Sequence, residues 1–98
     1  MLDRDFLLGF IKIHILHHAS RSEVYGAWLI EELRRHGYSM SYGTLYPTLH
    51  RLEEKGYLAS RVENVGGKRR KNYTITAKGR KALKEARARI RELVDEVL

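Results

Sequence analysis

The stretch Ser41–Leu58, SYGTLYPTLHRLEEKGYL, constrains this chain more than any other, because signals for a helix start, a helix face and a helix stop agree along it. Ser41 carries a hydroxyl able to accept from the free N–H groups of the following turn, which predicts a helix start there. Gly56 supplies the residue best suited to the left-handed conformation just past a helix end. Leu45, Leu49 and Leu52 recur at the spacing of one face, so that face is expected to pack inward. At about 100° per residue, Gly43, Thr44, Pro47, His50 and Arg51 fall on the outward side. Pro47 removes a helical donor and crowds the carbonyl of Gly43, where the missing side chain leaves the backbone room to yield. Two readings fit these residues alone: an ordinary surface face carrying a proline, or a face suited to phosphates and base edges in a major groove.

The flanking segments have an order of their own. Ser20 or Ser22 is expected to cap a preceding helix that ends near His36-Gly37, and Ser20-x-x-Glu23 has capping-box spacing. Tyr25, Leu29 and Leu33 form its buried stripe, with Gly26 beside them where another helix could approach. Tyr38-Ser39-Met40 then links two helices in a helix-turn-helix arrangement. Downstream, Tyr57–Glu63 and Asn72–Ile75 have strand character, joined by Val65-Gly66-Gly67-Lys68-Arg69-Arg70-Lys71. The paired glycines allow a reversal, so a two-stranded hairpin with a basic tip is expected, suited to grip phosphates beside the groove helix.

Gly43-Thr44-Leu45-Tyr46-Pro47, then Leu49, Arg51-Leu52-Glu53, Gly56 and Leu58, resembles the signature of the PadR family of transcriptional regulators. Tyr73, Thr76, Lys78-Gly79-Arg80 and Leu83 are similar to that family's wing-to-helix segment, and Tyr25-Gly26 to the start of its second helix. The resemblance runs from about residue 6 to residue 85 with the motifs in order. It implies a mainly α fold with a small β-hairpin: a winged helix-turn-helix domain over residues 1–75 and a C-terminal dimerisation helix over 76–98. It implies binding to double-stranded DNA as a homodimer, with repression the usual outcome. Base readout is expected from Thr44, Tyr46, His50 and Arg51, beside Gly43 and Pro47, and phosphate contacts from Tyr42, Lys68, Arg69, Arg70 and Lys71. Some members sense small aromatic or cationic compounds at the dimer interface. With no further domain after Leu98, an effector here is expected between subunits.

Charge is distributed unevenly. Eight basic residues between Met1 and Gly67 are matched by eight acids, so the net charge of +7 resides in Lys68–Leu98. A polyanionic partner is implied, nucleic acid first. Membrane lipid is disfavoured, since that segment has no aromatic residue besides Tyr73 and no apolar run approaches the roughly 20 residues needed to span a bilayer. No secretory signal is visible around Asp3, Arg4, Asp5 and Lys12, so the expected location is the cytoplasm.

The terminal helices carry more apolar surface than one small domain can cover. Asp3–His18 reads as the first helix, with Phe6, Leu7, Phe10, Ile11, Ile13 and Leu16 spread beyond a single face. Thr76 is expected to cap the last helix, where Leu83, Ala86, Ile90, Leu93 and Val97 alternate at three and four residues, as in a coiled-coil seam. A dimer interface through Phe6, Phe10 and that seam is expected. Arg80, Lys84, Arg87 and Arg91 form a basic stripe alongside, expected to be solvated or to face acids of a partner. Trp28, where the family usually carries a polar residue, is expected to pack on the first helix or the partner, ahead of the alternative of stacking on a ligand.

Several classes are excluded or set aside. There is no cysteine, hence no disulfide and no thiolate site. His14 and His18 lie one turn apart and could ligate a metal together, but no cysteine supplies a third ligand and carboxylates are distant in sequence. No metal and no cofactor are therefore expected. No carboxylate pair, paired nucleophile and base, or phosphate-cradling loop points to an enzyme. The competing class is a winged-helix module that binds protein, with only non-specific affinity for DNA.

Overall fold

The computed structural model describes residues 2–98. Four helices and one hairpin follow in the order α1 (Arg4–Arg21), α2 (Gly26–Arg35), α3 (Tyr42–Glu54), β1 (Leu58–Val65), β2 (Lys68–Ile75) and α4 (Ala77–Val97). Ile15, Leu29, Leu33, Leu45, Leu49, Leu58, Tyr73 and Leu83 are buried between these elements, so each helix and the base of the hairpin contribute to one core. The leucine face of α3 lies inward, as its spacing predicts.

Both links of the helix-turn-helix end in the same local device. Gly37 and Gly56 have φ of 90° and 82°, the left-handed region that glycine enters without a Cβ penalty. Tyr38 N donates to Leu33 O and Gly37 N to Arg34 O; Tyr57 N donates to Leu52 O and Gly56 N to Glu53 O. These paired bonds close the last carbonyls of α2 and α3 and fix the direction in which the chain leaves each helix.

Two expectations about boundaries are corrected. The first helix continues past His18 to Arg21, and Ser20 lies inside it, donating to the carbonyl of His17. Neither Ser20 nor Ser22 therefore caps α2, which starts after Tyr25 with no side-chain cap. Val24 instead pairs with Tyr73 through two backbone bonds of 3.0 and 2.8 Å, a tertiary contact that outcompetes a local cap. Glu23, freed from capping, receives Arg61 of β1 in a two-pronged ion pair at 2.6 Å.

The hairpin is longer than the sequence reading. Its strands pair from Leu58↔Ile75 to Val65↔Lys68, leaving only Gly66 and Gly67 in the turn. Both glycines have positive φ, 58° and 79°, the requirement of the tight turn whose twist matches the strands. The cations expected on a loop tip therefore lie along β2 itself. At the far end of the hairpin, Thr76 accepts from Gly79 N at 3.0 Å and starts α4, as expected.

Only the first two turns of α4 enter the core, through Gly79 and Leu83. Leu83, 3% exposed, packs in the core of the single chain and also lines the base of the apolar groove between α1 and α4. Ala86 is half-buried, and Ile90, Leu93 and Val97 are exposed on the part of α4 that extends past the core. Among the described residues no helix is long and apolar enough to cross a membrane.

Candidate nucleic-acid interface

Backbone geometry puts Ser41 at the N-cap of α3, yet its hydroxyl does not cap the helix. It donates instead to the Thr44 hydroxyl at 3.4 Å, while the Ser41 carbonyl accepts from Thr44 N and Leu45 N. Of the first-turn N–H groups, those of Tyr42 and Gly43 thus stay open, and a phosphate can be received there. Thr44 also accepts from the guanidinium of Arg4 at the start of α1, forty residues away. Arg4, Gly43, Thr44, Pro47 and Arg51 then line one side of the outward face, with Asp5 the acid among them.

Pro47 sits in the second turn without breaking α3. It cannot donate to the Gly43 carbonyl, and next to it the buried Thr48 donates its hydroxyl to Thr44 O at 2.9 Å. Tyr42 and Tyr46 stack with ring centres 5.7 Å apart. The Tyr46 ring lies over Gly26, where an added Cβ would stand 2.7 Å from the phenol oxygen. The close approach expected at Gly26 is therefore made by Tyr46, whose hydroxyl end meets α2 while the side chain stays exposed. His50 is exposed on the opposite flank of α3 from Arg51, in a depression with Glu53, Glu54 and Lys71.

The four wing cations divide into two pairs by the partners they have within the chain. Arg70 bonds to Glu63 at 2.9 Å and lies 4.0 Å over the ring of Tyr25. Lys71 reaches Glu53 of α3 at 3.3 Å. A hydrogen bond from Asn72 and then Arg70 holds the Glu63 carboxyl below its usual range, and the Ser60 hydroxyl followed by Lys71 does so for Glu53. Both carboxylates stay charged near neutrality and compete with DNA for their partners. Lys68 and Arg69, next to the turn, are exposed and make no ion pair among the described residues. Together with Tyr25, Gly26, Ala27 and Tyr46 they border a groove between the wing and the start of α2.

A second polar cluster lies elsewhere. The expectation of no metal assumed that no third ligand and no carboxylate stood near His14 and His18. Folding brings His36 and Glu32 of the second helix to them, so that premise is corrected. Burial, more than the neighbouring imidazoles, lowers the pKa of both His14 and His18. Trp28 meets the edge of His18 at 5.3 Å, the contact with the first helix expected of it.

A helix-turn-helix whose second helix presents an open first turn, with a two-stranded hairpin at its side, defines a winged helix-turn-helix DNA-binding protein. The chain belongs to the PadR-like family of transcriptional regulators, whose model matches residues 15–85. It is 54% identical over 95 residues to the transcriptional regulator Rv3488 of Mycobacterium tuberculosis, covering 97% of this chain and 89% of that one. A PadR family regulator from Eggerthella lenta superposes with a TM-score of 0.82 at 38% identity, over 91% of this chain and 79% of that one. A PadR-like regulator from Bacillus cereus gives 0.84 at 32% identity, over 95% and 92%. The family consists of regulators, not enzymes.

Proposed function

We propose that this chain acts in the cytoplasm as a homodimeric repressor, laying two copies of α3 into successive major grooves of a pseudo-palindromic operator. The observation that carries the reading is the acid-poor start of α3, flanked by Arg4 and Arg51 on one side and by Lys68 and Arg69 of the wing on the other. Two-fold symmetry then sets the half-sites about 34 Å apart, or a multiple of that. Thr44, Tyr46, His50 and Arg51 read bases; Tyr42, Arg4, Lys68 and Arg69 hold phosphates, with Arg70 and Lys71 contributing less because carboxylates already engage them.

The dimer is supported by an apolar groove between α1 and α4. Phe10, Ile13, Ile90, Leu93, Val94 and Val97 line it, and Phe10 and Val97 are 46% and 64% exposed in the single chain. Surface of that kind is stabilised by a second copy of the same helices. Phe6 is exposed but lies outside the groove lining, so its place in the interface rests on the approach of the second copy. A flat aromatic or cationic effector would bind where this groove meets its symmetry mate, and release the operator by changing the spacing of the two α3 helices.

Fluorescence anisotropy against duplexes covering the chain's own upstream region, with a scrambled duplex as control, tests the reading. Preference of about 10³-fold with two chains per site is the expected result. Ile90→Glu with Leu93→Glu should give one chain per particle by light scattering and remove that preference. Equal, salt-sensitive binding to both duplexes, or a monomeric wild type, would move the protein-binding alternative to the front.

A further inference from the structure

Three imidazoles from two helices converge on one another. His14 and His18 stand one turn apart on α1, and His36 is the residue that ends α2. One ring nitrogen of each lies within 4.8 Å of the other two. Glu32, one turn before His36, places Oε2 3.1 Å from His36 Nε2 and 3.5 Å from His18 Nε2. The Nε2 atom of His18 is buried and has no hydrogen-bond partner. Aromatic rings wall the cluster: Tyr38 edge-on to His14 at 5.2 Å and Trp28 edge-on to His18.

We propose that His14, His18 and His36, with Glu32 beside them, form a binding site for a divalent transition-metal ion of the zinc, cobalt or nickel class. Imidazole nitrogens with a carboxylate oxygen are the donors these borderline ions take, and the absence of thiolates disfavours softer ones. Zinc–nitrogen bonds of about 2.0–2.1 Å in a tetrahedral site put ligand nitrogens about 3.4 Å apart. The three ligand atoms, within 4.8 Å of one another, have to close by at most about 1.4 Å to reach that spacing. Glu32 either adds an oxygen ligand or accepts the ring N–H of His36 and so orients it, the usual support for a metal-bound histidine. His36 is exposed, which gives the ion an entry path from solvent.

The ion would join α1, which lines the apolar groove with α4, to the end of α2, one residue before the Gly37 turn that aims α3. The site does not overlap the DNA-facing surface, so its test uses protein alone and stands or falls separately from the operator reading.

The experiment is isothermal titration of the chelator-treated full chain with zinc chloride, repeated on His36→Ala and His14→Gln. His36 is exposed at a helix end, so its replacement leaves the core intact, which far-UV circular dichroism checks. About one zinc ion per chain with submicromolar affinity is expected, together with a raised thermal midpoint. Each variant should bind at least about 100-fold more weakly, since loss of an outer-shell partner alone costs about 10–100-fold. No saturable heat with wild type at micromolar zinc, or affinity unchanged in both folded variants, would show the cluster to be a hydrogen-bonded bracket between two helices and overturn the proposal.

Discussion

On the proposed DNA-bound dimer, removing Lys68 and Arg69 together should separate wing cations that reach phosphate from those that hold the wing in place. Of the four cations on β2, Arg70 is engaged by Glu63 at 2.9 Å and Lys71 by Glu53 at 3.3 Å, which leaves two per chain to displace counterions from DNA. Each phosphate neutralised contributes about 0.9 to the slope of log affinity against log salt. Two residues in each of two chains therefore account for a slope of about 3.6. Between about 50 and 200 mM salt, the wild type should lose about 2 log units more affinity than Lys68→Ala/Arg69→Ala. Arg70→Ala should behave differently: it loses its stacking on Tyr25 and leaves Glu63 with one fewer partner, so it lowers stability while changing the salt slope little. Anisotropy titrations at four or more salt concentrations on one operator duplex give both slopes. A double variant with the wild-type slope, or an Arg70→Ala slope reduced as far as that of the double variant, would refute the division of the wing.

Two further predictions concern the frame that holds the interface. A Cβ at Gly79 would stand 2.1 Å from the Tyr57 carbonyl oxygen and 2.7 Å from Ile75 Cγ1. That carbonyl also accepts from Thr76 N, so it cannot retreat freely. Contact this close with backbone puts Gly79→Ala in the upper part of an overpacking range of about 1–3 kcal/mol, against a helix-propensity gain of about 1 kcal/mol, for a net loss of about 1–2 kcal/mol. The thermal midpoint, followed by circular dichroism at fixed chain concentration, should fall by roughly 5–15 °C, and a variant as stable as wild type would sink the argument. Glu53 has its folded pKa lowered below 4.5, by the Ser60 hydroxyl first and Lys71 second. Its contribution to stability is therefore complete above pH 4.5 and lost as pH falls through the lower folded value. In urea titrations between about pH 6 and pH 3, the advantage of wild type over Glu53→Gln should shrink toward zero, whereas a constant gap would contradict it.

Much of the fold was legible because its signals are local. The leucine face of α3, the stop at Gly56, the cap at Thr76 and the apolar stripe along α4 each depend on residues within a turn or two of one another. The tight Gly66-Gly67 turn was legible as a reversal but not in length, since four consecutive cations resemble a loop until a partner strand supplies Glu63 opposite Arg70. The start of α2 was misread because Ser20 and Glu23 carry a valid capping pattern that folding puts to other uses. Arg4 escaped notice for a related reason: nothing near it in sequence points to Thr44. Long-range pairing leaves no periodic mark in a chain.

The sequence by itself determined where helices, turns and excess charge would fall, because capping, side-chain periodicity and the conformational freedom of glycine act over about four residues. Only the tertiary structure decided which cations remain open to DNA and which histidines meet. Glu53 reaches Lys71 from a different element, and His36 reaches His14 and His18 because α2 packs across α1. Electrostatic partnership depends on distance in space, and that distance is set by the packing of the shared apolar core rather than by the residues that use it.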